Sequence, residues 1–222
     1  MSPQENKKST PILPRRRLSA DFFARDIHVV ARDLVGRVLG RSVHGTERRG
    51  RIVEVEVYEG PNDAASHARS GEPTARTEPM FAEPGTLYVY TIYGMYQCLN
   101  IRAPSTPGPG AILIRACAPL NARAAMAVSR GLIESSQDYA ASMERRLMSG
   151  PGKLCQALHI DPSLSGQLLG DEVWLEVGQP VVERQPDRLR ATARIGLNRK
   201  TCGDCTDRLW RYVLCDSPWT SH

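Results

Sequence analysis

No apolar run in this chain of 222 residues approaches the ~20 residues that span a bilayer, so no membrane partner is expected. The stretch MSPQENKKSTPILPRRR at the N-terminus is basic but lacks an apolar segment of signal-peptide length, so secretion is not expected. There is no internal repeat. A nucleotide-binding phosphate loop is missing too. Gly150-Pro151-Gly152-Lys153 would need glycine at 147 and serine or threonine at 154, where Leu147 and Leu154 stand. What remains is a glycine-rich turn before a helix, whose amides could face a nucleic-acid phosphate. Cys202 and Cys205 are a lone C-x-x-C, with no second pair and no histidine between them and Cys215, so free thiols are expected ahead of a three-cysteine metal site. Nor is there a zinc-deaminase signature. Cys98, Cys117 and Cys155 sit in apolar contexts and read as small buried hydrophobes.

Charge is close to balanced outside one segment. The net charge is +5, of which residues 1–17 carry +4 through Lys7, Lys8, Arg15, Arg16 and Arg17 against Glu5. That segment reads first as a flexible, solvated leader and second as a loose phosphate-attracting arm. Residues 18–222 form one domain. Ser19 and Asp26 are placed as N-caps for two short helices, with Gly36 ending the second. RVLGRSV and RRGRIVEVEVYE, joined by HGTE, predict a β-hairpin. Residues 60–84 are a long polar loop rich in glycine and proline, and a loop of that length in a compact domain tends to be functional. Two strands joined near Tyr93-Gly94, a further strand in GPGAILIRACA, helices in LNARAAMAVSRGL and KLCQALHI, and three closing strands complete the pattern. Without regular βαβ alternation, these elements predict an α+β fold with a curved, largely antiparallel sheet.

RIVEVEVYEG alternates with period two, placing Val53, Val55 and Val57 on one face and Glu54, Glu56 and Tyr58 on the other. An edge strand with a polar solvent face accounts for Glu54. Glu56 and Tyr58 lead into the loop that brings His67 nine residues later. A carboxylate, a phenol and an imidazole at the mouth of a strand are parts of an acid–base site, although a surface carboxylate–histidine pair gives the same pattern. Four of the seven tyrosines, Tyr88, Tyr90, Tyr93 and Tyr96, crowd into LYVYTIYGMYQCLN around Gly94.

The runs RGRIVEVEVYEGPNDAASHA, MFAEPGTLYVYTIYGMYQCLN, ILIRA, SGPGKLCQAL, ARIG and SPWTS, in this order from about Arg17 to Ser221, resemble the alkyladenine (3-methyladenine) DNA glycosylases. The resemblance implies a barrel-like sheet with flanking helices and a protruding β-hairpin. It also implies a monofunctional, cofactor-free monomer that flips damaged purines out of double-stranded DNA and hydrolyses the N-glycosidic bond. Such an enzyme would be cytoplasmic, with the nucleoid in a bacterium, or nuclear in a eukaryote. Glu56 then matches the general base, Arg115 an arginine holding the water and the nucleotide phosphate, and the main-chain carbonyl of Thr220 a further water contact. Tyr58 and Tyr90 would sandwich the base, with His67 at its edge, Cys98 nearby and Asn100 excluding guanine. Tyr93 and Met95 would form the DNA wedge. Arg69, Arg76, Tyr96 and Lys153 are candidate backbone contacts, and Tyr88 is assigned to core packing. No lysine stands where a Schiff-base lyase would need one. The segment NRKTCGDCTDRLW is longer than the family's usual link, and its C-x-x-C lies outside the family pattern. Two alternatives remain: a non-catalytic DNA-binding module of the same fold, which would have no use for Glu56, and a metal-dependent hydrolase built on His67 and Asp63.

Overall fold

In this computed structural model, which describes residues 17–105, 108–177 and 186–221, the chain starts with two short helices, α1 (Ala20–Phe23) and α2 (Ile27–Leu34). The basic segment read as a leader lies outside the described residues apart from Arg17. Asp26 caps α2 as expected, its carboxylate accepting from the amides of His28 and Val29 that the first turn leaves free. Ser19 precedes α1 but makes no side-chain cap bond, which corrects its expected role. Gly36, at φ 94°, turns the chain out of α2. The apolar face of α2 (Ile27, Val30, Ala31 and Leu34) is buried against the sheet.

The strands are β1 (Val38–Val43), β2 (Thr46–Glu59), β3 (Leu87–Ile92), β4 (Tyr96–Arg102), β5 (Gly110–Pro119), β6 (Val173–Glu176), β7 (Leu189–Thr192) and β8 (Arg211–Leu214). All pair antiparallel, in the order β3-β4-β5-β2-β1-β6, with β8 joined to β2 and β7 to β8. The sheet is not closed. The β1–β2 turn is tighter than a four-residue HGTE link: only His44 and Gly45 lie outside the strands, both at positive φ, as a two-residue hairpin turn requires. Helices α3 (Arg123–Ser129), α4 (Glu144–Met148) and α5 (Pro151–Ala157) pack together, with α4 and α5 lying against β5 and α5 also against β4. The molecule is a mixed α+β domain, as expected.

Two expectations for β2 are overturned. It is not an edge strand, because β1, β5 and β8 all pair with it. Its alternation is also broken. The β2–β5 register shifts on both sides of Glu54, leaving Val53 on β2 and Arg115 on β5 without partners. The two bulges offset each other and re-aim the local side chains. Val53 therefore packs with Ala116 and Ala118, while Ile52, Val55 and Val57 enter the main core with Leu99, Ile101, Ile112 and Ile114. Burying each such aliphatic side chain contributes roughly 1.5–3 kcal/mol. Cys98, Cys117 and Cys155 are buried as expected, and Cys205 is buried as well.

Candidate active site

Glu54 and Glu56 are both fully buried near the middle of the sheet, so Glu54 does not face solvent. Glu54 Oε1 accepts from Arg115 Nε (3.1 Å), Arg211 Nε (2.6 Å) and Ser221 Oγ (2.8 Å), and Oε2 accepts from the Ser221 amide (2.5 Å). Three of these bonds converge on Oε1 and one reaches Oε2, so two arginines and Ser221 hold Glu54. Glu56 is held by three: the Ile195 amide to Oε1 (2.7 Å), and Tyr58 Oη (2.8 Å) and Arg115 Nη1 (3.2 Å) to Oε2. One position on Oε1 stays open, and it is Glu56 that Tyr58 connects to the cleft. Burial disfavours the Arg115 charge, but Glu56 and Glu54 outweigh it and raise its pKa above the ordinary value.

The C-terminal segment joins this cluster through the residue after Thr220. Ser221 bonds Glu54, its Oγ accepts from Arg115 Nε (3.2 Å), and its carbonyl accepts from Arg211 (3.1 Å). Thr220 itself bonds back to the Ser217 carbonyl through its hydroxyl (3.2 Å).

Tyr58 leads from the carboxylates into a cleft lined also by Ala65, His67, Met80, Tyr88, Tyr90, Asn100 and Ala111. Its cavity volume is about 20 Å³, room for little more than one water. The site brings together five residues expected there. Tyr58, His67, Tyr90 and Asn100 line the cleft, and Cys98 pairs opposite Tyr90. Tyr88 packs in a small core cluster as expected, but it also lines the cleft and its hydroxyl meets His67 Nδ1 at 2.8 Å. The His67 ring stands edge-on to Tyr90, with centroids 4.7 Å apart. Burial, then the charges of Arg76 and Arg69, lower the His67 pKa to about 4, so the ring is neutral near pH 7. Burial, then Glu56, pushes the Tyr58 hydroxyl well above its ordinary pKa, so it remains a donor. Burial, then Cys98, raises Tyr90 likewise. The Asn100 amide nitrogen donates to the carbonyls of Tyr88 (3.0 Å) and Cys98 (3.4 Å), which fixes the amide plane.

The remaining expected residues lie outside the cleft. At the β3–β4 turn, Tyr93 (φ 54°) and Gly94 (φ 71°) are left-handed, and Met95 N bonds Ile92 O at 3.2 Å. Tyr93 is 82% exposed, Met95 61% and Tyr96 42%, an unusual concentration of apolar surface on one tip. Gly152 lets α5 press on the base of this hairpin, since a Cβ there would come within 3.1 Å of Tyr96. Lys153 is exposed one residue further on. Arg69 and Arg76 line a neighbouring cavity with His67, and the Arg76 guanidinium lies 5.3 Å from the Tyr90 ring centroid.

Arg194, in the ARIG run, was given no role from sequence, yet it is buried beside the carboxylates. Its fork meets Asp63 in a two-bond ion pair (2.6 and 2.8 Å). Burial opposes its charge, but Asp63 outweighs this and raises its pKa. Both Asp63 oxygens are thus engaged, so Asp63 and His67 do not form a metal site. Among the described residues no group of three or more His, Cys, Asp or Glu could hold a metal ion. In the sequence Arg194 is only one of three arginines in RLRATARIG, which reads as a strand.

Similarity to known proteins follows the same residues. The sequence pattern of the methylpurine-DNA glycosylases matches residues 21–218. The DNA-3-methyladenine glycosylase of Mus musculus is 43% identical, with the match covering 99% of this chain and 69% of that protein. That of Homo sapiens is also 43% identical, over 92% of this chain and 68% of that protein. A relative from Clostridium perfringens (strain 13 / Type A) is 38% identical across 92% of this chain and 98% of its own length. With the carboxylate pair, the tyrosine-lined cleft and the exposed hairpin tip all inside the matched span, the chain belongs to the methylpurine-DNA glycosylase family.

Proposed function

We propose that the protein is a monofunctional base-excision-repair glycosylase that flips alkylated or deaminated purines from duplex DNA and hydrolyses their N-glycosidic bond. As a member of its family it is a DNA glycosylase, a hydrolase of N-glycosyl bonds. The observation that carries the finer reading is the open acceptor position on Glu56 Oε1, next to Arg115 and joined through Tyr58 to the aromatic cleft.

In this reading the flipped purine stacks between Tyr58 and Tyr90, with His67 at its edge and Cys98 behind Tyr90. Each such stack is worth ~1–3 kcal/mol. The narrow cleft opens as the base enters. Asn100 crowds the exocyclic amino group of guanine and leaves it unpaired, which rejects the undamaged base. As the C1′–N9 bond breaks, its electron pair leaves with the purine and oxocarbenium character develops on the sugar. Water adds to C1′, and its proton passes to Glu56. Arg115 and the Thr220 carbonyl hold the water, and Arg115 also meets the nucleotide phosphate. A purine that is already cationic leaves as a neutral base, so chemistry assists its selection, and its charge favours the tyrosine faces. Tyr93, with Met95 beside it, fills the gap left in the duplex. Arg69, Arg76, Tyr96 and Lys153 contact the DNA backbone.

Glu56→Gln tests this reading. General-base catalysis typically contributes 10²–10⁴-fold. Single-turnover excision of hypoxanthine or ethenoadenine from a duplex oligonucleotide should therefore fall by at least about 100-fold, with DNA affinity retained. Wild-type excision by this variant would remove Glu56 from the mechanism. A DNA-binding module of the same fold would have no need for a buried carboxylate with a free acceptor position.

A further inference from the structure

Arg194 touches both supports of the Glu56 carboxylate. The Ile195 amide, one residue along the chain, donates to Oε1 at 2.7 Å. Tyr58, whose hydroxyl donates to Oε2 at 2.8 Å, lies with its ring centroid 4.7 Å from the Arg194 guanidinium. The guanidinium is itself fixed from several sides. Asp63 takes Nη1 and Nη2, the Val57 carbonyl takes Nη1 (2.8 Å), and the Cys205 carbonyl takes Nη2 (3.2 Å). Trp210 stands 5.1 Å away. Asp63 in turn accepts from the Ala65 amide (3.1 Å), which fixes the turn leading to His67. Cys205 Sγ accepts from the Ala64 amide (3.4 Å), so the C-x-x-C segment closes over the same turn.

We infer that Arg194, locked by Asp63, is the positioning residue that aims Glu56 and sets the Tyr58 wall at the same time. The inference rests on Glu56 being the general base. A surface arginine could not do this, because the arrangement needs a planar, two-bond fork stacked on a ring, a geometry that lysine does not supply. The other groups facing Glu56 are Tyr58 and Glu54 on β2, Arg115 on β5 and Arg211, paired opposite it on β8. Glu54 is itself held by Arg115, Arg211 and Ser221. Arg194 is therefore the cation whose displacement changes the hold on Oε1 without first breaking the Glu54 cluster.

The test compares wild type, Arg194→Lys, Asp63→Asn and Glu56→Gln, and each ion-pair variant combined with Glu56→Gln, in single-turnover excision of hypoxanthine from duplex DNA. Both ion-pair variants should slow excision roughly 10- to 100-fold, the scale of a small misplacement of a reacting group. DNA affinity should be retained. Because Arg194 acts through Glu56, the ion-pair variants should add no further slowing in the Glu56→Gln background. A purely structural role would slow the folded fraction equally in both backgrounds, or in neither, and either result overturns the inference. If a single variant does not fold, the Asp63→Leu/Arg194→Met double variant carries the test, since apolar replacement of a buried ion pair generally preserves folding. It should fold and show the same slowing with Glu56 present and none in the Glu56→Gln background, and a wild-type rate would again overturn the inference. Loss of activity in Glu56→Gln with wild-type rates in the ion-pair variants defeats the positioning role alone. Full activity in Glu56→Gln defeats the general-base reading beneath it.

Discussion

Glu54 and Glu56 are two residues apart on one strand and equally buried, but they are not chemically equivalent. Glu54 is held by two arginines and the C-terminal segment, whereas Glu56 has fewer donors, keeps a position on Oε1 and bonds Tyr58 of the cleft. His67 supplies a separate prediction at this scale. Its pKa is lowered from 6.5 to about 4, so the unfolded chain binds a proton more readily than the folded one between these values. Its contribution to stability is then complete above pH 6.5 and is lost progressively as pH falls towards 4. The melting temperature of wild type should drop more steeply over that window than that of His67→Gln, and equal slopes would count against a neutral, half-buried ring. Much of the site was legible residue by residue: period two put Glu56 and Tyr58 together, and the resemblance assigned His67, Tyr90, Asn100 and Arg115. Arg194 was not legible, because a buried arginine looks like any surface cation until its partner, Asp63, is known. That partner lies 131 positions away.

At the scale of elements, the β3–β4 hairpin sets an aromatic wall and an exposed tip on one short, stiff unit. Tyr90 faces the cleft three residues before the exposed Tyr93, and Asn100 lies on the returning strand. Tyr93→Ser should slow excision from duplex DNA about tenfold, equivalent to ~1.4 kcal/mol, through easier return of the flipped base. Excision from a single strand, where there is no gap to fill, should change little, and an equal loss on both substrates would contradict the wedge. The strands themselves were evident from alternation and turn residues. Their ends were not. RLRATARIG reads as one strand, but β7 stops at Thr192 because Arg194 and Ile195 turn away to meet Asp63 and Glu56. The bulges around Glu54 were equally hidden, since a period-two pattern presumes an unbroken ladder.

For the whole molecule, residues 1–17 carry +4 of the net charge of +5 and lie outside the family match, so a general attraction to DNA can be tested there apart from the chemistry. A chain of residues 18–222 should keep the wild-type single-turnover rate at saturating enzyme while binding duplex more weakly. Its affinity should also fall less steeply with added salt, because fewer counterions are released on binding. Loss of the saturating rate would instead give the segment a part in the reaction. The paired bulges carry a different implication, for how this scaffold tolerates length changes. Because Ile52 and Val55 both enter the main core although they stand three positions apart, Val53 is the extra residue of its bulge. Deleting Val53 alone would restore plain alternation and leave Ile52, Val55 and Glu56 on their present faces. A one-residue deletion elsewhere in β2, with no bulge to absorb it, would instead put part of the strand on the opposite face.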